Sequence, residues 1–179
     1  MLTAEQQQTL LRVAREAVVA ATEGRSYAPS SDDPELRKPG AAFVTLRRDH
    51  DLRGCIGRVE ARDPLLEVVA EMARAAALED FRFQPVEASE VADLTIEISV
   101  LTPAVRVTDV AEIEVGTHGL IVSKGDHRGL LLPQVPVEWG WDREEFLDHT
   151  CLKAGLPKGC WRGEAEICAF TAQVFGEEG

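Results

Sequence analysis

Between Leu94 and Val100 the chain alternates without a break: Leu94, Ile96, Ile98 and Val100 are apolar, and Thr95, Glu97 and Ser99 are polar. Successive side chains of an extended strand point to opposite faces, so this segment reads as a strand with one buried and one wet face. Around it, strand-like and helix-like runs do not alternate regularly. That order favours an α+β fold, with antiparallel or mixed sheets and flanking helices, over a doubly wound parallel sheet. A length of 179 residues suits one domain, or one domain with a small companion, and can bury a core without disulfide staples.

The first helix is marked by a Thr3/Gln6 capping-box pattern, by Leu10, Ala14, Ala17, Val18 and Ala21 on one face, and by Gly24 as a stop. Residues 25–40 are rich in turn formers and long for a compact domain, which makes them a candidate mobile flap. A hairpin follows, with Ala41 to Arg47 extended, a turn at Arg48–Asp51 and a return from Leu52 to Val59. Asp63-Pro64 opens a second helix as N-cap and first-turn proline, with Leu65, Leu66, Val69, Met72, Ala73 and Ala76 facing inward. After Thr102-Pro103, residues 104–135 read as short strands joined by glycine turns at Gly116, Gly119, Gly125 and Gly129, closed by Pro133 and Pro136. A third helix starts at Asp142 with Glu145 as its box partner and stops at Gly155. Glu164 to Phe175 reads as one final strand, pairing back into the sheet of residues 93–102.

Charge narrows the function classes. Asp and Glu number 31 against 19 Lys and Arg, a net charge of −12, so neither a phosphate-binding surface nor a nucleic-acid partner is expected. No apolar run reaches the roughly 20 residues that span a bilayer. The start, Met1-Leu2-Thr3-Ala4-Glu5-Gln6, carries no export pattern, and the expected compartment is the cytoplasm. Four cysteines, Cys55, Cys151, Cys160 and Cys168, are expected there as thiols. Their spacings match no common zinc arrangement, so neither metal nor cofactor is expected.

Leu52-Arg53-Gly54-Cys55-Ile56-Gly57 is the most informative stretch. If extended, it puts Arg53, Cys55 and Gly57 on one face. Gly54 and Gly57 weaken a strand and make sense where something approaches the backbone closely. Arg53, two residues before Cys55, could favour the thiolate. The competing reading is a small buried cysteine beside a β-bulge. His118, in Gly116-Thr117-His118-Gly119, could present an imidazole in a cleft and activate Cys55, if the two meet. His50, His127 and His149 default to solvent. Gln134, in a proline-bounded segment, offers a donor and an acceptor to a polar ligand. Trp139 and Trp141 flank Gly140 and either wall a pocket or cement a junction. The paired GxxG phrases are a weak match to RNA-binding modules. A dinucleotide fingerprint, a Walker A lysine, a nucleophile elbow and a HExxH are all missing.

Several phrases together resemble the AMMECR domain family. Leu52-Arg53-Gly54-Cys55-Ile56-Gly57 matches its hexapeptide residue for residue, and Phe81-Arg82-Phe83 with Pro85-Val86, Ile98 to Pro103, His118-Gly119-Leu120, Leu131 to Val135, Glu138 with Trp141, and Cys151 to Leu156 follow in the family's order. One departure is Phe81, where the family more often has proline. The resemblance implies two unequal subdomains, the smaller inserted in the larger: about 1–103 plus 161–179, and about 104–160. It also implies an activity that is not established. Prokaryotic members are often encoded beside a Memo-like and a radical-SAM protein, as the A component of the AmmeMemoRadiSam set, which suggests a modification pathway. The resulting expectation is a cysteine-using enzyme or enzyme component, with Cys55 and His118 catalytic and Arg53, Gly54, Gly57 and Gln134 binding the ligand. The alternative is a non-catalytic module that recognises a protein partner or a small metabolite in the expected cleft between the subdomains.

Overall fold

The computed structural model describes residues 1–178 and divides into two compact units: Met1–Leu101 with the chain from Gln173 onward, and Thr102–Ala172. The fold class is α+β, with mixed helices and antiparallel sheets.

In the first unit, α1 (Ala4–Thr22) begins where Thr3 and Gln6 close the expected capping box. Its buried stripe of Leu10, Val13, Ala14, Ala17 and Val18 joins the core. The segment after it is not a plain loop. Asp33 caps a single helical turn, α2 (Pro34–Arg37), whose Leu36 is 1% exposed, and Gln6 Nε2 donates to Asp33 at 3.0 Å. A buried leucine and a tie to α1 anchor the stretch read as a flap. Strands β1 (Ala41–Arg48) and β2 (Asp51–Arg58) form the expected hairpin, with Asp49 and His50 both at positive φ, as a tight two-residue turn requires.

Helix α3 (Leu65–Leu78) starts one residue later than Asp63-Pro64 suggested. Pro64 takes the cap position without a side-chain bond, because the Asp63 carboxylate is held by Arg58 at 2.6 Å. A 3-10 turn (Ala88–Asp93) leads into β3 (Leu94–Leu101), whose alternating burial follows the sequence pattern. In this sheet β1 lies between β2 and β3, and α1 and α3 share one apolar core with it.

The second unit carries β4 (Val105–Arg106), a 3-10 turn (Val110–Glu112), β5 (Gly119–Lys124) and β6 (His127–Leu131). After a turn at Pro133-Gln134 comes a short helix, α4 (Val135–Trp139), and α5 (Arg143–Lys153) opens on the Asp142/Glu145 capping box. Phe146, Leu147 and Cys151 of α5 pack on Leu120, Val122 and Ile167.

Two expectations are corrected here. The single final strand is two strands, β7 (Glu166–Phe170) and β8 (Ala172–Gly176). β7 pairs with β4 and β5 in the sheet β4-β7-β5-β6, while β8 lies beside β3 in the first sheet. Residues 161–172 therefore belong to the second unit and not to the larger one. Thr102 and Thr171 mark the switch: the Thr102 N–H donates to the Thr171 carbonyl and the Thr171 N–H to Thr102 Oγ1, both at 2.8 Å. Beyond it, the Glu177 carboxylate accepts from the Ile96 N–H and from Arg15, which holds the tail on the first sheet.

The cysteines are not all thiols. Cys151 and Cys160 are joined in a disulfide, whereas Cys55 and Cys168 are free. A 3-10 turn at Cys160–Arg162 folds back on the end of α5, bringing the two Cα atoms to 6.1 Å.

Candidate functional site

Cys55 lies on β2, an edge strand of the first sheet, paired in register with Thr45. Its N–H does not bond to β1; it points outward and donates to Asp80 Oδ2 at 2.9 Å. Thr45 and Cys55 are therefore a non-hydrogen-bonded antiparallel pair, the kind that brings side chains closest. Thr45 Oγ1 donates to the half-buried Cys55 Sγ at 3.2 Å.

The free edge of β2 is covered by side chains from the segment after α3. Asp80 accepts Arg82 Nε at 2.9 Å and Nη2 at 2.7 Å, and Arg82 Nη2 also reaches toward the Cys55 carbonyl at 3.5 Å. The N–H and C=O of Cys55 thus meet a carboxylate and a guanidinium where a further strand would have stood. The Asp80 side chain is only 3% exposed and the Arg82 side chain 47%. Arg82 holds the Asp80 carboxyl well below the usual carboxylate range, helped by the Cys55 and Arg82 N–H groups, while burial works the other way. Asp80 in turn raises Arg82 above its ordinary value, with a smaller contribution from Cys55 itself. Arg82 Nη1 has no partner among the described residues.

Arg53 does not serve the sulfur. The strand register slips at Leu46/Arg47, opposite Gly54 and Leu52, which leaves Arg53 as the extra residue of a β-bulge. Its guanidinium makes a fork on Glu90 at 3.1 and 3.2 Å and donates to the Gln84 carbonyl at 2.8 Å. Arg53 accordingly holds Glu90 below the ordinary carboxylate range.

The glycines make room for the protein itself. A Cβ on Gly54 would come within 2.1 Å of the Ala76 carbonyl oxygen of α3, and one on Gly57 within 2.2 Å of the Phe43 ring.

His118 and Gln134 lie in the second unit. His118 is half-buried, and its Nδ1 accepts the Glu114 N–H at 2.9 Å, which leaves Nε2 for other work. Gln134 is exposed and precedes α4. His149, expected in solvent, is half-buried and stacks on Trp141 with ring centroids 3.7 Å apart. Trp141 packs on the core of this unit, but Trp139 is 70% exposed. The other free thiol, Cys168, is pushed up by burial and by the Glu166 carboxylate beside it, with Arg106 and Arg128 acting in the opposite sense.

Sequence reasoning missed Thr45, Asp80, Arg82 and Glu90. The available signal was the phrase Asp80-Phe81-Arg82-Phe83, where the Phe83 N–H closes a turn on the Asp80 carbonyl at 3.1 Å. Phe81 takes the second position of that turn, where proline is favoured, and is 96% exposed. Among the described residues no group of His, Cys, Asp and Glu could hold a metal ion, and no helix is long and apolar enough to cross a membrane.

The chain as a whole is similar to known proteins. The chain is 47% identical to a protein of Thermococcus onnurineus, covering 94% of this chain and 89% of that one. It is 46% identical to protein MK0488 of Methanopyrus kandleri, covering 99% and 91%. The crystal structure of the uncharacterised protein PH0010 from Pyrococcus horikoshii superposes with a TM-score of 0.83 at 46% identity, covering 94% of this chain and 90% of that one. The AMMECR1 family profile matches residues 11–175, and the chain belongs to the AMMECR1 family.

Proposed function

We propose that the protein is a cysteine-using enzyme, or a component of one, with Cys55 as the nucleophile and Arg82 as the group that receives the oxygen of the electrophile. The observation that carries this reading is a half-buried sulfur that accepts from the Thr45 hydroxyl, on a residue whose carbonyl lies 3.5 Å from the Nη2 of a guanidinium with Nη1 uncommitted. A nucleophile next to a preorganised cationic donor is the pairing that acyl- and group-transfer chemistry uses. Arg53, Gly54 and Gly57 act here as positioning residues: Arg53 pins the bulge to Glu90, and the glycines let α3 and Phe43 close on β2. In this reading the protein is cytoplasmic and works with the Memo-like and radical-SAM proteins that accompany the family. The alternative of a binding module would leave Cys55 as filler.

The test is the rate of alkylation by iodoacetamide near neutral pH, followed residue by residue by peptide mass spectrometry. Cys55 is expected to react at least about tenfold faster than Cys168, whose thiol is raised. Cys151 and Cys160 serve as unlabelled controls. Equal rates at the two free thiols would exclude a nucleophilic Cys55. A Cys55→Ser variant that keeps its melting temperature but loses retained small molecules or partner-dependent turnover supports the enzyme reading. One that only melts earlier supports filler.

A further inference from the structure

The second unit holds a cavity of about 230 Å³ that the Cys55 reading does not use. Its inner wall is apolar, with Ile113 and Phe170 buried and Val107 half-buried. Three charged or titratable side chains line it: Arg106, Glu112 and His118. Arg106 lies on the edge strand β4, opposite Cys168 in register, and Glu112 ends the 3-10 turn. Neither has an ion-pair or hydrogen-bond partner for its side chain among the described residues. With His118 Nδ1 accepting from Glu114, the neutral imidazole carries its proton on Nε2 and is a donor there.

Size and charge select the ligand class. An apolar cavity of about 150 Å³ takes benzene, whereas drug-sized ligands need roughly 300 Å³ or more. A volume of about 230 Å³ therefore suits a molecule with one branched or aromatic side group. Unpaired charges of opposite sign in the same lining favour a zwitterion, since a simple acid would meet Glu112 and a simple amine would meet Arg106. We infer that this cavity binds a free α-amino acid with an apolar side chain, its carboxylate on Arg106 and the His118 Nε2–H, its ammonium on Glu112.

Calorimetric titration of the whole chain with L-leucine, L-phenylalanine, 3-phenylpropanoate and 2-phenylethylamine tests the inference. One of the amino acids is expected to bind at least about tenfold more tightly than either singly charged analogue. Arg106→Ala should weaken the amino acid by about tenfold or more, and Glu112→Gln should erase its advantage over 3-phenylpropanoate. Both side chains are exposed, so the variants should melt with the parent. The inference is overturned if neither amino acid binds at millimolar concentration, if Arg106→Ala binds as the parent does, or if the simple acid binds as tightly as the amino acid.

Discussion

In the first unit α3 comes so close to its sheet that the Ala76 carbonyl fills the space a Cβ on Gly54 would need; in the second, the Lys153–Ala154 backbone at the end of α5 does the same to Gly129. The parallel extends to a second glycine in each sheet, Gly57 under the Phe43 ring and Gly119 under the Phe170 ring. The two units differ in what holds them. The first buries α1, α3 and Leu36 of α2 against β1 and β3 in one broad aliphatic core. The second has a much smaller core around Phe146, Leu147 and Leu120, and it carries the disulfide. A small apolar core stabilises less, and a covalent closure makes up part of the difference.

The largest effect should come from filling the glycine spaces. Gly54→Ala and Gly129→Ala each drive a Cβ against backbone, at 2.1 and 2.3 Å. Each should cost about 3 kcal/mol or more. Urea unfolding followed by hydrogen exchange should show the loss confined to the unit that carries the substitution. A Gly54→Ala protein as stable as the parent would break the parallel.

Opening the disulfide separates the units next. Cys160→Ser frees a loop of nine residues' separation and should weaken the second unit by about 2–3 kcal/mol, with the first unit's exchange rates unchanged. Loss shared equally by both units would show that the staple serves the whole chain.

Acid should act on the first unit, more gently. Asp80 is held below its ordinary value in the folded state, so the stability it adds is complete above the unfolded carboxylate pKa of about 4. That contribution is lost as pH falls below about 4 toward the lower folded value. Because Arg82 is half-exposed, the contribution is about 1 kcal/mol after screening. Asp80→Asn should flatten the dependence of the first unit's melting temperature below pH 4. An unchanged slope would remove Asp80 from the account.

Much of this was readable in the residues. Thr3 and Gln6 announced α1, the alternation from Leu94 to Val100 announced β3, and Asp142 with Glu145 announced α5. These signals are local: a capping box or a period of two is complete within a few positions. The hexapeptide drew attention to Cys55, but its neighbours were misjudged. Arg53, two positions away, turns to Glu90 because a bulge breaks the strand phase, and Arg82, 27 positions away, is the arginine that reaches toward the Cys55 carbonyl. The tail at 164–175 carried strand composition throughout, and nothing in it marked Thr171 as the point where one sheet is left for the other.

Composition, periodicity and caps by themselves determined that this chain is α+β, where its long helices begin, and that β3 has one wet face, because each depends on backbone and solvent within a turn or a strand. Tertiary structure alone decided that Cys151 meets Cys160, that Asp80 and Arg82 close the edge beside Cys55, and that α3 fills the room Gly54 leaves. Those contacts arise from the chain folding back on itself, and their partners are chosen by which side chains and carbonyls are left unsatisfied once the cores have packed.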